Sequence, residues 1–261
     1  MSDTLVQYVV DDRGVARVVL DDPATRNALT DALLDQLLAR LEEARRDPAV
    51  RVVVLASTGT RVFSSGGDLK AFSSTRTPID KYAGLDRFPR VFRLLRDLGK
   101  PVVCAADGDL LAGAFGLALA CDMVVARAGV QMGCPEINVG VFPFMISALI
   151  YRSVPRAKAN ELMMTGRLMT AEQAQDLHVV NAVWPVEDFD AELDAWVGHI
   201  ASRSPLLMRL GKEALAATQD LPLDGALAHL QGQLALALTT EDVVEGVTAL
   251  REKRPPEWRG R

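Results

Sequence analysis

The chain reads as α/β: a largely parallel sheet followed by a helical tail. Three observations lead there. Residues 52–56 (VVVLA) and 102–106 (VVCAA) are continuous apolar runs of the kind buried on both faces of a parallel sheet. Between and beyond them strand, helix and strand recur, most plainly at 107–140, where a small-residue turn leads into an apolar helix at 114–120 and a strand at 122–126. That recurrence implies parallel pairing through right-handed crossovers. From Val186 onward the pattern is helical, at about 187–203, 205–218, 222–239 and 240–252, with Pro205 and Pro222 at starts where proline is tolerated.

The elements follow in order. Residues 5–10 and 15–20 alternate around Asp11-Asp12-Arg13-Gly14 and predict a hairpin. Thr30 or Asp31 caps a helix to about Arg46, in which Leu33, Leu34, Leu37, Leu38 and Leu41 form a buried stripe. Residues 57–70 read as a loop ending in Gly66-Gly67, 72–82 as a polar surface loop, and 86–98 as a helix despite Pro89. Lys100-Pro101 introduces the strand at 102–106. Residues 141–151 are an apolar helix entered through Pro143, 156–165 and 170–177 are shorter helices, and 179–183 a strand. There is no internal repeat and no low-complexity segment.

Composition narrows the function. With 261 residues, 49% hydrophobic and 24% charged, the chain reads as an ordinary soluble globular protein. Its net charge of −5 gives no overall field toward nucleic acid or an anionic membrane. The N-terminus lacks a basic and apolar leader, and no stretch nears the roughly 18 apolar residues that span a bilayer, so a cytoplasmic protein is expected. Cys104, Cys121 and Cys134 form no CxxC pair and read as reduced core thiols. His178, His199 and His229 have no ligand spacing, so no metal is expected.

Two glycine-bearing turns and one carboxylate carry the chemistry. A helix whose first turn holds Gly113 and Ala114 leaves N–H groups at its positive end open to an anion, although the same residues also let a buried helix pack closely. Gly66-Gly67 repeats that logic, with a plain turn as the alternative. Ser64-Ser65 lacks the GxSxG elbow of a serine nucleophile. Glu136 follows as a candidate acid/base, although taken alone it reads rather as a solvated acid at a strand end. Asp122 and Asp68 read as structural groups that satisfy backbone donors.

Arg26-Asn27-Ala28-Leu29, then Phe63-Ser64-Ser65-Gly66-Gly67-Asp68-Leu69, Lys100-Pro101, Ala112-Gly113 with Cys121-Asp122, Pro135-Glu136 with Gly140, residues 162–166 (LMMTG) and Glu252-Lys253-Arg254 together resemble the crotonase family, also called the enoyl-CoA hydratase/isomerase superfamily. The resemblance covers nearly the full length. It implies a crotonase-like ββα superhelix, with residues 1–200 as the core and 201–261 as a helical trimerisation region, the trimers commonly doubling to hexamers. It further implies an acyl-CoA thioester substrate, no cofactor beyond the CoA of that substrate, an oxyanion hole from the N–H groups of Gly67 and Gly113, and Glu136 as acid/base.

The family pattern breaks at one catalytic position. Hydratases of the family flank a water with two glutamates, and where the other one stands this chain has Gly116. Isomerases of the family commonly keep only the glutamate matching Glu136, so the departure favours one-base proton shuttling. Asp109, seven residues before Gly116, is the alternative second carboxylate. By resemblance Arg26, Lys70, Ser65 and Lys253 contact CoA, the last with Trp258 reaching the nucleotide of a neighbouring subunit. Phe142, Phe144 and Met145 replace a small glycine-containing run; facing the site they imply a short or branched acyl chain, and otherwise they begin a buried helix. A non-catalytic acyl-CoA binder, a decarboxylase, a thioester hydrolase and ring cleavage are the other readings. RNA binding, known in the family, is disfavoured by the net charge.

Overall fold

Two sheets organise the chain, and both are built mainly from parallel neighbours. The structure, a computed structural model, describes residues 4–68 and 77–261. β1 (Val6–Val10) and β2 (Val15–Leu20) pair antiparallel, as the hairpin pattern predicts. β2 then pairs in parallel with β3 (Val52–Ser57), which pairs with β5 (Val102–Ala106), then β7 (Met123–Arg127) and β10 (Ala182–Trp184). The second sheet runs β4 (Val62–Ser64), β6 (Asp109–Leu111), β8 (Gln131–Gly133) and β9 (Met169–Thr170), with only β9 antiparallel.

The continuous apolar strands have the reason that the sequence suggests. Val53, Leu55 and Cys104 face one core with α1 (Asp31–Arg46), whereas Val52, Val54 and Val103 face a second core with Phe189, Leu193 and Val197 of α8 (Phe189–Ala201). Alternate residues are therefore apolar on both sides. α1 is capped by Thr30, whose hydroxyl accepts the Leu33 N–H at 3.2 Å.

Five expectations need correction. The loop at 57–70 contains β4, and the turn before Gly113 contains β6. The latter part of the expected loop at 72–82 is helical, α2 (Pro78–Gly84), followed by α3 (Arg87–Arg96). The strand expected at 179–183 begins only at Ala182, because the N–H groups of Val179 and Val180 both turn back onto the Ala174 carbonyl at the end of α7 (Ala171–Asp176). The helix expected from Val141 starts at Phe144, with Pro143 in the capping position before it.

After α4 (Gly113–Ala120) come α5 (Phe144–Ser153) and α6 (Arg156–Thr165), and the tail is α9 (Pro205–Thr218), α10 (Leu223–Ala237) and α11 (Glu241–Glu252). α9 is tied to the core by buried Lys212, whose ammonium donates to the Leu95 and Lys100 carbonyls at 2.7 and 3.0 Å and to Asp122 Oδ2 at 2.7 Å. The same Asp122 oxygen accepts the Val102 N–H at 2.6 Å, the structural role expected of it. Among the described residues no helix is long and apolar enough to cross a membrane.

Candidate active site

Three adjacent parallel strands, β4, β6 and β8, deliver the three groups singled out in the sequence. Gly67 lies three residues past Ser64 at the end of β4, Gly113 two past Leu111 at the end of β6, and Glu136 three past Gly133 at the end of β8. Neighbouring parallel strands end on the same side, so all three emerge at one carboxyl edge, where ligands bind in α/β sheets. The Ala112 N–H donates to the Gly133 carbonyl at 2.8 Å and locks the second and third exits together.

The first and second exits touch directly. A Cβ on Gly66 would stand 2.5 Å from the Ala112 Cβ and 3.3 Å from the Gly113 nitrogen, and Gly66 has a φ of +85°. Only glycine meets both requirements. A buried polar network fixes this loop. The Asn27 carboxamide donates to Ser57 Oγ and the Phe63 carbonyl at 2.8 and 3.0 Å, and its oxygen accepts the Asp22 N–H. Ser64 Oγ donates to the Asn27 carbonyl at 2.6 Å and accepts the Gly66 N–H at 3.2 Å. Asn27 stands in the sequence motif, yet its role depends on a left-handed backbone at 52° that residue type does not reveal.

α4 opens on strained backbone. Its cap, Ala112, has φ 55° and ψ −123°, a region sparsely used by residues with a Cβ. The Gly113 N–H, like that of Gly67, has no hydrogen-bond partner among the described residues. The two donors stand on loops that touch at Gly66 and Ala112.

Glu136 sits in a short 3₁₀ turn, Pro135–Val139, between buried Cys134 and the turn at Gly140. Its Oε2 is buried with no hydrogen-bond partner, and burial pushes the carboxyl up from 4.5 to about 7. Burial, with Glu136 nearby, also pushes the Cys134 thiol up to about 12, so it stays protonated and inert.

Asp109 is not brought to Glu136. Its carboxylate accepts the Gln131 N–H at 2.8 Å at the start of β8, the end of that ladder opposite to Glu136. Gly116 lies in α4 with its missing side chain replaced by neighbours: a Cβ there would stand 2.4 Å from Ile146 Cγ2 and 3.1 Å from Phe92 Cζ. The space beside Gly116 is filled with hydrocarbon.

The candidate CoA contacts divide. Arg26 is exposed with a φ of 58°, and its carbonyl accepts the Ser65 N–H at 3.0 Å, so both stand beside the Gly66-Gly67 loop. Lys70 lies outside the described residues. Lys253 is exposed at the end of α11, whereas Trp258 turns onto its own chain and donates to the Ser202 carbonyl at 2.7 Å. Phe142 and Met145 are half-buried against the core, and Phe144 is 76% exposed. Among the described residues no group of three His, Cys, Asp or Glu is placed to hold a metal ion.

The glycine turns and the half-buried Glu136 share one sheet edge, and the fold that gathers them is found in known proteins. Residues 11–261 match the family model described as enoyl-CoA hydratase/isomerase, and the chain belongs to that family. It is 35% identical over 250 residues to the 2,3-dehydroadipyl-CoA hydratase of Escherichia coli, covering 95% of this chain and 96% of that one. It is 33% identical over 254 residues to the carnitinyl-CoA dehydratase of Proteus mirabilis, covering 95% of each. The fold matches the crystal structure of an enoyl-CoA hydratase from Mycobacterium smegmatis with a TM-score of 0.94 at 30% identity, over 98% of this chain and 99% of that one. The ββα crotonase architecture expected from the sequence is the one observed, and the chain is an enzyme of this family acting on acyl-CoA.

Proposed function

We propose that the chain moves a proton on an acyl-CoA thioester with Glu136 as its single acid/base, the thioester oxygen being held by the N–H groups of Gly67 and Gly113. What carries the reading is a half-buried carboxylate whose Oε2 is buried without a partner, raised to about 7 by burial, emerging at the same sheet edge as two free backbone donors. Ionised Glu136 takes a proton from the carbon beside the thioester. The electron pair moves onto the carbonyl oxygen, where each preorganised donor is worth about 3 to 4 kcal/mol of transition-state stabilisation. The protonated carboxyl returns the proton two carbons further on, and the double bond shifts. A carboxyl near pH 7 both accepts and gives a proton readily there. Arg26, Ser65, Lys70 and Lys253 are the candidate contacts to CoA, and no further cofactor is required.

A second reading, hydration, is favoured by the names of the two curated relatives, a hydratase and a dehydratase. The two separate by mass: with 2-enoyl-CoA and 3-enoyl-CoA esters in deuterated water, isomerisation leaves the formula unchanged apart from exchanged deuterium, whereas hydration adds one water. An ester that binds and undergoes neither favours the acyl-CoA binder, and release of free CoA or of carbon dioxide the hydrolase or decarboxylase.

The region 201–261 is read as the oligomerisation region of a homotrimer or hexamer. Its support is apolar surface left open on the tail helices: Leu223, Leu234 and Leu250 are 72%, 61% and 79% exposed. Light scattering checks it.

A further inference from the structure

Glycine at position 116 and isoleucine at position 146 are complementary in space. α5 lies against α4 so closely that even a methyl group on Gly116 would overlap Ile146 Cγ2 at 2.4 Å. Ile146 is 4% exposed, and a β-branched side chain in a helix has essentially one rotamer, so it has little freedom to swing aside. Phe92, from α3, closes the same space at 3.1 Å and stacks near Phe88 with ring centroids 6.2 Å apart. Phe88 in turn lies 2.9 Å from where a Cβ on Gly113 would be. One hydrocarbon wall thus runs from the first turn of α4 to its second.

We propose that Ile146, backed by Phe92, is a specificity-determining residue: it fills the side-chain volume of position 116 and keeps a second proton carrier, and the water it would hold, off the α4 face of the site. The inference rests on the one-base reading above and goes beyond it by naming what prevents hydration. Glu136 breaks the C2–H bond of a 3-enoyl thioester and the electron pair passes to the carbonyl oxygen. With no second carboxylate to hold a water, the same carboxyl returns its proton to C4, which shifts the double bond, or to C2, which regenerates the ester.

The test uses the intact chain and 3-enoyl-CoA deuterated at C2, with the 2-enoyl ester alongside. Wild type returns part of the label to C4 and adds no water. Ile146→Ala opens the wall, and the returned share falls several-fold as solvent exchanges with the carboxyl. Gly116→Glu with Ile146→Gly restores a second carboxylate in the vacated volume, and hydration rises about 10²-fold, the low end of what one positioned acid/base contributes. Should that double variant fail to fold, the label return in Ile146→Ala still decides. Unchanged label return in a folded Ile146→Ala variant, or wild type adding water as fast as it moves protons, overturns this inference alone. Wild type moving no proton on any ester overturns the proposed function with it.

Discussion

Replacing Glu136 by Gln should make the protein more stable at neutral and alkaline pH, and that follows from the burial of its carboxyl. The carboxyl rises from 4.5 to about 7 because burial penalises its charged form and nothing donates to Oε2. A group whose pKa is raised on folding binds its proton more tightly in the folded state. Its contribution to stability is whole below the unfolded value near 4.5 and is lost as pH climbs through about 7. A rise of this size corresponds to about 3 kcal/mol. Gln never ionises, so the variant escapes the loss. In urea unfolding at equal protein concentration, the variant should exceed wild type by about 3 kcal/mol at pH 8.5 and by under about 1 kcal/mol at pH 5. A gap that does not change between the two pH values would refute the raised pKa. A variant less stable than wild type at pH 8.5 would mean that the carboxylate has a stabilising partner.

Other outcomes follow from the same structure. Ser64→Ala removes a hydroxyl that bridges the Asn27 carbonyl and the Gly66 N–H. It should cost about 1 to 3 kcal/mol in chemical denaturation, with kcat falling more than KM rises because the Gly67 donor loses its position. Gly66→Ala must place a methyl group 2.5 Å from the Ala112 Cβ at a φ of +85°; activity should vanish and the melting temperature fall, the backbone strain alone amounting to about 1 to 3 kcal/mol. Lys212→Met strands the Leu95 and Lys100 carbonyls and the Asp122 carboxylate. The loss should be about 2 kcal/mol by thermal unfolding, moderated because Asp122 is 34% exposed.

Much of this was legible from residue types. Long elements announce themselves by periodicity: the leucine stripe of α1 and the two-faced valine strands match the observed ones to within a residue or two. Gly67, Gly113 and Glu136 stood out as candidates because glycine pairs and an isolated carboxylate are unusual at the ends of apolar runs. The sheet that gathers them was not. β4, β6 and β8 are three residues each, too short to establish a period of two, and β9 is two. The apolar Val179 and Val180 imitate a strand but are buried in the turn after α7. Gly116 was legible as a departure from the family pattern; that Ile146 packs against it depends on the approach of two helices, which no local pattern encodes.

The account turns on Glu136 as the only proton carrier, and one measurement addresses it directly: the rate at which solvent deuterium enters a 3-enoyl-CoA ester, followed by mass spectrometry for wild type and Glu136→Gln at saturating ester. The account predicts a fall of about 10²- to 10⁴-fold in the variant, with the dissociation constant for the ester within about threefold of wild type, since Gln keeps the shape and the Gly67 and Gly113 donors are untouched. Exchange that survives the substitution with binding intact would place the base elsewhere and contradict the central claim.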